Sequence, residues 1–119
     1  MKTSQDPRHK RRQRCIEELF STDFHEQEVS PTTKKILQCK EEIDHHIEKA
    51  ASNFPIDKIN KIDLAILRLA VYELLFEQKA PKNVIIDDAV ELAKEYANET
   101  SPSFINGVLS NISSHAKST

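Results

Sequence analysis

Cations crowd the start of this chain. Lys2, Arg8, Lys10, Arg11, Arg12 and Arg14 fall within the first fourteen residues, opposed there only by Asp6. Guanidinium groups grip phosphate oxygens in pairs and stack on bases, chemistry that suits a single-stranded or flexible RNA. Residues 1–14 carry a net charge of +5 and the remainder −7. An acidic body repels nucleic acid in general, so any such contact is confined to one patch. Asp6-Pro7 has the form of a helix cap followed by proline in the first turn. The cations then lie where the helix dipole favours anions. That misfit argues that they serve a ligand; the plainer alternative is a solvated basic arm.

Other constellations lead nowhere. His45-His46 with Cys39 suggests a metal, but adjacent rings on a helix point about 100° apart and do not share an ion easily. Asp87-Asp88 with Glu91 suggests a carboxylate site, yet no nucleophile or histidine accompanies it, and acidic residues near a helix start are favoured anyway. No Gly-rich phosphate loop, catalytic triad spacing or zinc pattern is present. The expectation is a protein that is not an enzyme and needs no metal or cofactor. Cys15 and Cys39 lack metal-ligand spacing and read as reduced and structural. Asp63 and Arg68 read as caps or internal ion pairs.

The elements behind these residues are helical throughout, with about six to seven helices expected. The first runs from about Pro7 to Phe20. A polar connection over 21–30 leads to Ser30-Pro31, an N-cap followed by proline, and a helix ending near Phe54-Pro55. A short turn precedes the run from Ile62 to Phe76, which is apolar around almost its whole circumference and therefore central. Pro81 starts the next helix, and Ser101-Pro102 opens the last, which carries Phe104, Ile105, Val108, Leu109 and Ile112. The only glycine, Gly107, lies inside that last helix. Glycine there costs roughly 1 kcal/mol relative to alanine, so a close approach to its backbone is expected. The organisation reads as a flexible basic arm (1–7), a helical domain (8–112, divided into 8–54 and 55–112) and a flexible tail (113–119). No apolar run is long enough for a bilayer span, and no signal-peptide core follows the basic start, which predicts a cytoplasmic protein.

Three stretches in the second half, DLAILRLAVYELLFEQKAP, VIIDDAVELAKEYA and SPSFINGVLSNI, resemble the NusB family of transcription antitermination factors in order and spacing. The match is close over residues 53–112. Arg8-His9-Lys10-Arg11-Arg12 leading to Leu19-Phe20 resembles the family's basic first helix, while residues 21–52 match weakly and look short. The resemblance implies a compact all-α bundle of two small subdomains. It also implies binding of boxA RNA together with NusE, a small-subunit ribosomal protein, within an RNA polymerase antitermination complex. By position, Arg8, Lys10, Arg12, Thr100, Ser101 and Phe104 fall on the RNA side, and Arg11 joins them as part of the basic cluster; Phe104, at i, i+4 with Val108, reads equally as a base-stacking ring or as core. Phe20, usually a tyrosine, and Glu73 fall on the NusE side. His9 stands where arginine is usual, Arg14 where the family is usually uncharged, and Thr100 where a carboxylate is common.

Two alternatives belong to other classes. A NusB-like domain also targets some ribosomal RNA cytosine methyltransferases to their substrate, but no methyl-donor motif follows here. A self-associating helical protein is the other, since some family members form homodimers.

Overall fold

The computed structural model describes residues 6–116, which fold into six α-helices with no strand among the described residues: α1 (Pro7–Thr22), α2 (Pro31–Gln38), α3 (Lys40–Ala50), α4 (Lys61–Tyr72), α5 (Lys82–Tyr96) and α6 (Ser101–Ala116). A 3₁₀ turn (Ile56–Lys58) precedes α4 and a π-helical turn (Glu73–Glu77) follows it. The expected arm falls mostly on residues 1–5, outside the described residues.

α4 holds the centre. Every residue from Asp63 to Tyr72 is buried, and α1, α3, α5 and α6 all pack on it. The core it anchors takes Cys15, Ile16 and Leu19 from α1, Ile36 from α2, Ile43 and Ile47 from α3, Ile85 and Leu92 from α5, and Ile105 and Leu109 from α6. Each fully buried aliphatic side chain of this kind stabilises the fold by roughly 1.5–3 kcal/mol. Burial also pushes the Cys15 thiol up, so the free Cys15 is chemically quiet.

Helix starts follow the expected punctuation, though not always by the expected bonds. The Asp6 carboxylate accepts from the Arg8 backbone N–H at 2.9 Å, and the Asn60 side chain accepts from that of Ile62 at 2.9 Å. Ser30 makes no side-chain cap. Its hydroxyl instead donates to Glu18 at 2.7 Å, and Thr33 donates to the same carboxylate. Burial alone would raise the Glu18 carboxyl, but these bonds and the Ser30 backbone N–H outweigh it and hold it below the usual range. The single helix expected over 31–54 is two, α2 and α3, broken at Cys39. The last helix runs through Ala116, beyond Ile112, where fraying was expected.

The expectation for Gly107 is corrected. Gly107 is exposed, and a Cβ built there meets nothing within 4 Å. The strained backbone position lies elsewhere, at Gln78, which closes the π-turn with φ 55° and donates its N–H to the Glu73 carbonyl. Side chains beyond glycine pay for the left-handed region. Gly107→Ala and Gln78→Gly are each expected to raise stability by about 0.5–1 kcal/mol in urea denaturation. An unchanged or lower midpoint for Gly107→Ala would mean that its surface is not free.

Candidate nucleic-acid interface

The cations of α1 divide into two sets by helical phase. Ile16 and Leu19 face the core, and that stripe continues back through Arg12 and His9, both 3% exposed. Arg8, Lys10 and Arg11 face solvent. Arg8 approaches Asp6 at 3.7 Å, and Arg11 approaches Glu77 at 3.4 Å. Such long, exposed contacts contribute little and leave the guanidinium groups able to meet a phosphate. Arg14 is also exposed and leans on Glu18 at 3.4 Å. A cleft of about 310 Å³ opens between α1 and the end of the π-turn, where Arg8 and Arg11 converge with Lys79.

Arg12 is committed internally. It forms a two-pronged pair with Glu73 (2.6 and 2.7 Å) and donates to Asp88 at 2.6 Å. Burial opposes the Arg12 charge, and Glu73 and Asp88 restore it, so its proton is held more firmly than usual. Glu73 is 2% exposed and Asp88 fully buried. His9 Nδ1 lies 2.8 Å from Asp88, and His9 Nε2 lies 2.7 Å from Glu95. Gln13 donates to Glu95 at 2.9 Å and Tyr96 to Glu17 at 2.7 Å, so α1 is bonded along α5 as far as its last turn.

That last turn leads into the second expected RNA region. The Asn98 side chain accepts from the Thr100 backbone N–H, the Thr100 hydroxyl and the Ser101 hydroxyl, at 2.9–3.2 Å. Thr100 is exposed, whereas Ser101 is 1% exposed and belongs to the cap. Beside Ser101 lies buried Asp63, whose Oδ1 has no hydrogen-bond partner among the described residues. Burial pushes the Asp63 carboxyl up, more than Ser101 pulls it down. Phe104 is half-buried against the core and meets the exposed ring of Phe54 edge-on, with centroids 5.3 Å apart.

A second aromatic pair closes α1: Phe20 and Phe24 meet edge-on at 5.1 Å, and Phe24 is 63% exposed. Elsewhere, Arg68 pairs two-pronged with Asp44 at 2.9 Å, an internal ion pair. His45 and His46 stand 6.2 Å apart between ring centroids.

The sequence reading therefore placed Arg12, Glu73 and Ser101 among contact residues, and the structure encloses all three. Phe24, Phe54, Lys79 and Glu95 drew no functional reading from sequence, and Asp88 only that of an acidic residue near a helix start. The inward phase of His9 and Arg12 was available from the Ile16–Leu19 stripe, whereas Lys79 and Phe54 carry no local signal.

A family model described as the NusB family matches residues 2–114. The chain belongs to the NusB family. Its likeness to transcription antitermination protein NusB of Geobacter sulfurreducens is 48% identity over 79 residues, which is 66% of this chain and 57% of that protein. For the NusB of Clostridium botulinum type E3 it is 53% over 97 residues, covering 78% and 72%. The chain thus spans somewhat over half of the first of these. A solved structure of T. maritima NusB superposes with a TM-score of 0.78 at 30% identity, covering 96% of this chain and 93% of that one. The NusB fold is therefore present from α1 to α6. No helix among the described residues is long and apolar enough to cross a membrane.

Proposed function

We propose that this NusB-family chain is a transcription antitermination factor that binds boxA-type RNA together with NusE and joins an RNA polymerase antitermination complex. The observation that carries the reading is the sorting of cations on α1. Buried Arg12 and His9 fix the helix, and Arg8, Lys10 and Arg11 are left in solvent with no strong partner among the described residues. Thr100 and the open side of the Phe54–Phe104 pair supply a second contact, where a base can stack on an aromatic face. Ser101 supports it through the Asn98 cap. NusE meets the Phe20–Phe24 pair, and Glu73 acts from behind by holding Arg12. Two weak contacts presented together give usable affinity. The proposed place of action is the cytoplasm.

The test is fluorescence anisotropy of a labelled boxA-type RNA over a salt series, with and without NusE. Tighter binding with NusE and a log–log salt slope steepened by roughly 0.7 per phosphate contact are expected. No gain on adding NusE would sink the reading.

A further inference from the structure

His9 is the member of the buried network whose charge can change near neutral pH. Its ring is 3% exposed and stands between two carboxylates, with Nδ1 2.8 Å from Asp88 and Nε2 2.7 Å from Glu95. A neutral imidazole has one N–H and one lone pair. Placed here, it would donate to one carboxylate and turn its lone pair on the other. The imidazolium satisfies both.

The geometry points to His9 as a protonation-dependent positioning residue, a clasp that holds the first turns of α1 against α5 and so sets where Arg8, Lys10 and Arg11 stand. Its effect on RNA rests on the function proposed above; the clasp itself does not. The charged groups around it are Asp88 and Glu95 from α5, Arg12 from its own helix, and Glu73 from the π-turn, which reaches it through Arg12. With His9 protonated, two cations face three carboxylates; without the proton, one cation faces three.

Burial pulls the His9 proton affinity down, but the hydrogen bonds and charges of Asp88 and Glu95 outweigh it, and the net direction is up. The clasp therefore acts fully below the ordinary histidine range and is lost as pH rises through the raised folded value.

The experiment compares the wild type with His9→Arg and His9→Gln at about pH 6 and pH 8.5 in fixed salt. Hydrogen-exchange protection factors of α1 amides and affinity for boxA-type RNA with NusE are read side by side. The wild type is expected to lose α1 protection and about fivefold or more in RNA affinity at the higher pH. His9→Arg, a permanent cation, is expected to hold both values flat, and His9→Gln to be weak at both pH values. Should His9→Gln fail to fold, the wild type and His9→Arg carry the comparison. Wild-type α1 protection as flat as that of His9→Arg overturns the clasp, even where RNA binds well. Protection that falls with pH while RNA goes unbound at every pH leaves the clasp standing and removes the RNA reading instead.

Discussion

Arg12→Ala is expected to cost about 3–5 kcal/mol of folding stability, the scale for removing one side of a buried ion pair. The substitution strips the two-pronged partner from Glu73 and the 2.6 Å donor from Asp88. Both carboxylates are at most 2% exposed, so neither recovers its lost bonds from water. Urea denaturation with RNA absent measures the effect. RNA affinity would fall as well, through the folded fraction lost and through looser placement of α1, while the salt slope of the folded remainder would stay as in the wild type. A near-neutral Arg12→Ala, or one that flattens the salt slope at full stability, would mean that Arg12 meets phosphate directly.

The reverse signature is expected for Arg8→Ala, Lys10→Ala and Arg11→Ala combined. All three side chains face solvent, and among the described residues Arg8 and Arg11 make only the long ion pairs to Asp6 and Glu77. The folded state loses little with them. RNA binding loses up to three phosphate contacts, which flattens the log–log salt slope by about 2 for a single strand. At low salt the affinity should fall by an order of magnitude or more, about 1.4 kcal/mol for each factor of ten. Retained affinity and slope would move the RNA off this face of α1.

Helix type and order were legible in the sequence because their causes are local. Asp6-Pro7, Ser30-Pro31 and Ser101-Pro102 mark starts by backbone chemistry, and the nearly all-apolar stretch from Ile62 leaves α4 no place but the centre. The NusB resemblance was legible for the same reason, since it rests on continuous stretches from α4 to α6. What escaped was set by contacts across the fold. The break at Cys39 has no proline or glycine to announce it. Glu73 and Ser101 read as contact residues through the resemblance, and their burial escaped because it depends on α1 and on the Asn98 cap. Asp88 read as an acidic residue in an early helical turn, whereas it is the carboxylate on which His9 and Arg12 both converge. Gly107 misled for a different reason: an exposed helical glycine carries a cost but no contact, and the cost alone does not reveal whether anything packs against it.

The bonds that hold α1 in place bridge 61 to 86 residues of sequence. Among the described helices, the first to leave the ribosome is therefore among the last to be secured. At roughly 5–20 residues per second, several seconds pass between synthesis of Arg12 and arrival of Glu95. During that interval Arg12 and His9 lack their full set of carboxylate partners. Completion of α5 withdraws Arg12 and His9 from solvent and leaves a shaped surface. On the function proposed above, selectivity among polyanions is in this way a late acquisition of the growing chain.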